Sequence, residues 1–329
     1  MGLRVSRRAI KPIFLFSLPR SGSTLLQRLL NASDEIATVS EPWILLPLMY
    51  AGKTEGIYSE YHCRLSAQAL EDFIRILPNG MDDYQRAIRA LVIDLYGKAA
   101  PASRFFLDKT PRYSVIAPEV AELFPDARYI FLWRNPLAVV ASCLDTWWGG
   151  KWSVGSYKID LFKGLERMLA AQQLLGEQAL SLRFEDLLKK PEDELGRIGN
   201  YLGLKDTIGV SLERGSGLSG RMGDPTGIRN YSSVSEEPLE KWKATLANPL
   251  RKAWCRNYLG WIGRDRLRQM GYDMTGLLED IEALPLSMSN LLSDLYRMPS
   301  SAFKGALDFY PLKHKFRAWR EGRKVYANR

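Results

Sequence analysis

Apolar positions along this chain come in short runs that alternate between two periods. IFLFS (Ile13 to Ser17) is a continuous apolar run of strand length. In the STLLQRLLNAS that follows, Leu25, Leu26, Leu29 and Leu30 recur at the spacing that gathers them on one helical face. Together they predict a strand, a loop and a helix running from Ser23 to Asn31. IATVS predicts a second strand ending at Glu41, and a polar, helix-rich stretch fills the chain from about Glu55 to Gly97. FFLDK (Phe105 to Lys109) reads as a third strand and PEVAELF as a helix. RYIFLW (Arg128 to Trp133) is almost wholly apolar, as a strand covered on both faces must be. Asn135 and Pro136 then open the helix LAVVASCLDTWW, with proline in the first position, where its missing N–H is not needed. ALSLRF (Ala179 to Phe184) is a fifth strand, followed by the helix PEDELGRIGNYLGL. Strands separated by helices imply an α/β fold of three layers, a central parallel sheet flanked by helices. There are no internal repeats and no low-complexity segments.

In such sheets ligands bind outside the carboxyl ends of the strands, so the residue that ends each strand carries the functional signal. Those ends read Ser17 leading to Arg20, then Glu41, Lys109, Arg134, and Arg183 with Glu185. Together they describe an anion site with a carboxylate in it. The first loop, LPRSGST, nearly spells the triphosphate loop G-x-x-x-x-G-K-[ST], yet Ser17 stands in place of its first glycine and Ser23 in place of its lysine. Gly22 and its small neighbours let backbone N–H groups approach an anion at the start of the helix, where the helix dipole favours negative charge. No lysine is present to reach β- and γ-phosphates, and no obvious Walker-B aspartate to hold magnesium, which disfavours triphosphate chemistry. Arg20 supplies a cation instead. That suits a ligand with a single 5′-phosphate carrying a further, less charged group.

Composition narrows the class. The 329 residues, 46% hydrophobic, suffice for a substantial core. WILLPLMYA, the longest uncharged apolar stretch, is far short of the roughly 20 residues of a membrane helix. Arg4, Arg7 and Arg8 before IFLF imitate a signal peptide, but Lys11 and Pro12 interrupt it and the run is too short. MGLRVS matches a short acylation pattern that arises readily by chance. Cys63, Cys143 and Cys255 lie far apart, in neither a disulfide framework nor a metal spacing, so a reducing, cytoplasmic setting without a metal is expected. The net charge of +9 is uneven: from Lys304 onward there are eight Lys or Arg and two acids, Asp308 and Glu321. This tail could meet an anionic membrane surface or an acidic polymer, or be a solvated terminal helix.

LPRSGSTLL, EPW, DKTPRY, ARYIFLWRNPLAVVAS and GDPTGIRNYSSVSEEPLEKW, in that order and spacing, resemble the sulfotransferases that use 3′-phosphoadenosine 5′-phosphosulfate. The resemblance runs from about Ile13 to Asp273. It is strongest to the bacterial and protein-tyrosine or glycan branches, which carry RSG[ST]T rather than KSGTTW. It implies a P-loop-type fold, with a sulfotransferase domain over residues 1–275 and a basic helical extension over 276–329. It further implies that Arg20, Ser21, Gly22, Ser23 and Thr24 hold the 5′-phosphosulfate and that Arg134 and Ser142 hold the 3′-phosphate. Arg229 would belong to a late loop closing over the adenosine, with Ser232 or Ser233 as further contacts. Glu41 is implied as the base, with Lys109 and Arg20 as the cations that stabilise the transferring group, and no metal is required.

The acceptor is less legible. TWWGGKWSVGSY gathers Trp147, Trp148, Trp152 and Tyr157 around glycines, and exposed aromatic faces stack on sugars or other rings. A glycan, a lipid, a tyrosine or a small alcohol could supply the hydroxyl; nucleic acid is not expected. His62 and His314 sit in no recognisable motif. An atypical P-loop kinase, and a non-catalytic domain binding adenosine bisphosphate or another anion, are the alternatives.

Overall fold

The structure, a computed structural model, describes residues 10–53, 63–210, 235–306, 316–317 and 319–322. Five strands form one parallel sheet: β1 (Lys11–Phe16), β2 (Ile36–Thr38), β3 (Phe105–Asp108), β4 (Arg128–Trp133) and β5 (Ala179–Arg183). Their order is β2-β3-β1-β4-β5, with Lys11 opposite Phe105 and Ile13 opposite Arg128. All the carboxyl ends therefore emerge at one edge. The chain reaches β2 and β3 on one side of β1 and β4 and β5 on the other, so the crevice beyond β1 is the topological switch point.

Alternation along the strands sends two kinds of side chain to the two faces. Ile13, Leu15, Ile130, Leu132 and Leu182 make an aliphatic face, covered by the helices Ser23–Leu30, Phe184–Lys189 and Pro191–Leu202. Phe14, Phe16, Tyr129, Phe131 and Trp133 make an aromatic one, with the Phe16 and Tyr129 rings stacked at 6.1 Å. The helices Met81–Ala99, Pro136–Trp148 and Pro249–Ile262 contribute to the cover over that face. The result is the expected helix–sheet–helix arrangement.

Two boundaries differ from the sequence pattern. β1 starts at Lys11, before the apolar run, and stops at Phe16. β2 stops at Thr38 rather than continuing to Ser40, because side chains take over from the ladder there. The Thr38 hydroxyl donates to the Leu107 carbonyl at 2.6 Å, and buried Gln27 donates to Thr38 Oγ1 at 2.8 Å and to the Val39 carbonyl at 2.7 Å. The chain turns out of the sheet at that point and carries Glu41 into the switch-point crevice. WILLPLMYA, unassigned by pattern, contains the helix Leu45–Tyr50.

Beyond the sheet, the helix Leu291–Ala306 is fastened to the body along one side. Asp294, fully buried, accepts from Arg251 Nε at 2.6 Å and from Asn248 Nδ2 at 2.7 Å. One turn pair further on, Ser301 Oγ accepts from the Gly155 N–H at 2.8 Å. Among the described residues, no helix is long and apolar enough to cross a membrane.

Candidate functional site

The loop between β1 and the Ser23–Leu30 helix reverses direction through two left-handed residues, Arg20 (φ 66°) and Gly22 (φ 86°). A Cβ on Gly22 would stand 2.1 Å from the Phe184 ring, so both the backbone conformation and the close approach of the first residue after β5 require glycine there. Arg20 carries its Cβ in the same region at a cost of roughly 1–2 kcal/mol. Its neighbours hold it in place. Arg134 Nη1 donates to the Arg20 carbonyl at 2.6 Å, and Arg20 Nε donates to Ser142 Oγ at 3.3 Å. The Arg134 guanidinium lies over the Phe184 ring at 4.8 Å and also donates to the Pro238 carbonyl at 3.2 Å. The residues expected at the two ends of the donor, Arg20 with the loop and Arg134 with Ser142, thus form one connected group. Ser21, Ser23 and Thr24 are buried within it.

A second group sits at the ends of β2 and β3. Lys109, 1% exposed, places its ammonium 3.0 Å from Glu41 Oε1 and 3.5 Å from Thr24 Oγ1. Trp43, in a left-handed conformation at φ 57°, turns its indole N–H to Glu41 Oε2 at 3.2 Å. Non-glycine residues held at positive φ persist where the surroundings impose them, and they concentrate at functional sites. Here both Arg20 and Trp43 are of this kind. The neighbouring Asp108 does not take up Lys109: it accepts from Tyr96 OH at 2.5 Å and from Thr110 Oγ1 at 3.0 Å. The lysine is left to bridge the loop and the glutamate.

Burial pushes the Asp108 carboxyl up to about 6, against the hydroxyls and Lys109, which favour its charged form. Because the folded value lies above the ordinary 3.8, folding favours the protonated form. That contribution is complete below the unfolded value and is lost as pH rises through about 6. Asp108→Asn is expected to flatten the decline in stability between about pH 4 and pH 6, measured by urea unfolding across that range.

Residues 12–207 match the sulfotransferase family. The chain belongs to that family. Among curated relatives it is similar to nodulation protein NoeE of Sinorhizobium fredii, 28% identical over 80% of this chain and 66% of that one. It is also similar to a putative protein-tyrosine sulfotransferase of Caenorhabditis briggsae, 24% identical over 59% of this chain and 65% of that one. The chain thus spans just under two thirds of the length of these relatives. Among solved structures it resembles the sulfotransferase domain from the curacin biosynthetic pathway, 25% identical, with a TM-score of 0.51, covering 72% of this chain and 92% of that one. The fold is accordingly the α/β P-loop-type fold of sulfotransferases.

Within this sulfotransferase fold two sequence-predicted groups behave differently from expectation. Arg183 does not join the anion site: it forms a forked pair with Asp186, both contacts at 2.7 Å, and donates to the Gly271 carbonyl. Glu185 accepts from the Asn135 N–H at 2.8 Å and from Tyr272 OH at 2.6 Å, so it braces the turn behind Arg134. The aromatic cluster divides. Trp152 is core, edge-on to Trp254 at 5.1 Å and beneath the Arg251 guanidinium. Trp147 and Trp148 are exposed, Trp147 stacking on Tyr157 at 4.8 Å while the Trp148 indole N–H donates to Tyr157 OH. The Arg20 guanidinium lies 5.9 Å from the Trp147 ring centre, which puts this exposed platform beside the loop. The role of Phe184 was not legible in the sequence; Trp43 was placed by the EPW motif, but its hydrogen bond to Glu41 was not. Arg229, Ser232, Ser233, His62 and His314 lie outside the described residues.

Proposed function

We propose that the chain transfers a sulfuryl group from 3′-phosphoadenosine 5′-phosphosulfate to an acceptor hydroxyl. The carrying observation is Lys109, with its ammonium between Thr24 of the anion loop and the Glu41 carboxylate. The donor set fits a doubly anionic nucleotide: cations at Arg20, Lys109 and Arg134, and hydroxyls at Ser21, Ser23, Thr24 and Ser142. Arg229 would extend it over the adenosine. In the reaction the acceptor oxygen attacks sulfur in line, forming the new O–S bond as the S–O bond to the 5′-phosphate breaks. Glu41 takes the acceptor's proton. Arg20, Lys109 and the N–H groups at the helix start stabilise the charge that collects on the departing phosphate. Lys109 can exchange its carboxylate partner for the more highly charged donor, which frees Glu41 for the acceptor. No step calls for a metal.

The exposed Trp147–Tyr157 platform beside Arg20 supports a ring-bearing acceptor, such as a sugar or a tyrosine, stacked so that its hydroxyl faces the loop. A lipid-linked or small alcohol is accommodated by the same chemistry. The sulfotransferase unit is residues 1–275, with 276–329 as a basic extension, in a protein working in the cytoplasm.

The test is calorimetry with 3′-phosphoadenosine 5′-phosphate against 5′-AMP. A 3′-phosphate adds a charge-assisted pair to a guanidinium that is 8% exposed. The bisphosphate is expected to bind more tightly by about 2–5 kcal/mol, and Arg134→Ala should erase most of that preference. Equal affinities in the parent protein would remove the 3′-phosphate assignment.

A further inference from the structure

The two sides of the Leu291–Ala306 helix are unlike those of an ordinary surface helix. Its inner side is pinned by polar contacts: Asp294 to Arg251 and Asn248, and Ser301 to the Gly155 N–H. The opposite side carries Leu292, Leu295, Tyr296, Pro299 and Phe303, spaced i, i+3, i+4, i+7 and i+11, which one helical face accommodates. These face solvent, with Leu292 84% and Tyr296 78% exposed. Because Asp294 is fixed in a buried ion pair, the helix cannot roll its apolar side inward. Leu286 and Met288, just before it, are exposed as well. An apolar stripe of this extent, held outward, marks an interaction surface.

The surrounding charge selects the partner. The only acid in the described part of the helix up to Phe303 is Asp294, which is buried and paired, so the exposed stripe carries no negative charge. Arg297 lies on the same helix, and from Lys304 onward basic residues outnumber acids eight to two. Within that stretch Phe316 and Trp319 are exposed and in ring contact, interleaved with Arg317 and Arg320. Leucine and aromatic side chains on one face, bordered by Lys and Arg, are what a segment lying in the headgroup region of a bilayer presents. We propose that the outer face of the Leu291–Ala306 helix and the basic sequence after it dock this protein on an anionic membrane surface. The helix supplies the apolar anchor and the tail the electrostatic attraction. Since Arg251 also holds the Thr245 and Gly150 carbonyls, the docked helix is rigidly joined to the end of the aromatic loop.

The experiment is sedimentation of the full chain with phosphatidylcholine vesicles, with and without phosphatidylserine. Binding is expected only with phosphatidylserine and should weaken as salt is added. The double substitution Leu292→Glu with Leu295→Glu should lower the partition onto those vesicles by about tenfold or more. Both sites are exposed, so the melting temperature and the affinity for 3′-phosphoadenosine 5′-phosphate should stay at parental values. Equal partition of parent and variant would overturn the proposal, as would equal partition onto neutral vesicles. A concentration-dependent dimer of the parent, abolished by the same substitutions, would also overturn it, because the face would then meet a second copy of the chain. Each of these outcomes is read independently of whether the donor binds.

Discussion

Glu41→Gln is expected to lower turnover by roughly 10²–10⁴-fold, the range that a positioned general base contributes, while affinity for 3′-phosphoadenosine 5′-phosphate stays near the parental value. Glutamine keeps the shape, and its one amide oxygen can still accept from either the Trp43 indole or Lys109, which now touch the two carboxylate oxygens at 3.2 and 3.0 Å. What it cannot do is take a proton. The substitution also deprives a lysine that is 1% exposed of its counter-charge, so a purely structural role for Glu41 predicts a different pattern: lowered stability and weakened donor binding together. Single-turnover kinetics with saturating donor separates the two. A slow chemical step with intact donor binding is the expected result; near-normal chemistry would mean that another group accepts the proton.

The parts of this site that were legible in the sequence are those set by local pattern. β4 and the helix after it appear where the apolar run, Asn135 and Pro136 put them, because a fully covered strand and a capped helix start both leave local signatures. From those followed Arg134, and from the same logic at β1 and β3 came the loop and Lys109. Glu41 was legible as a strand-end residue, but its delivery was not. β2 ends early because Gln27 and Thr38 bond across elements, and no periodicity encodes that. Arg183 was misread for the same reason: a strand-end arginine looks identical in sequence whether it faces the crevice or pairs with a carboxylate three residues on. Trp152 and Trp147 lie five residues apart in one aromatic run, yet one is core and the other surface. Only the approach of Trp254 and Arg251, about a hundred residues later, decides which.

Asp294→Ala is expected to be the most destabilising of the single substitutions considered, by about 3–5 kcal/mol, the cost of leaving a buried cation without its partner. Arg251 is 1% exposed and binds both carboxylate oxygens of Asp294, at 2.6 and 3.1 Å. Its remaining contacts are neutral carbonyls of Thr245 and Gly150 and the nearby Trp152 ring, none of which replaces the lost charge. Replacing both partners by apolar residues, Arg251→Met with Asp294→Leu, should recover much of the loss, since a buried ion pair gives little net stability over well-packed hydrophobic side chains. Urea unfolding of the two variants checks this. If the single and double variants were equally unstable, the contribution would come from the packing of Arg251 and not from its charge. Function should follow stability in a specific way. Thr245, whose carbonyl Arg251 holds, also donates its hydroxyl to Asp145 at 2.8 Å, two residues before Trp147. Loosening this corner is therefore expected to raise the acceptor KM through the aromatic platform and to leave donor affinity unchanged, because the loop, Arg134 and Lys109 are held by the sheet ends instead.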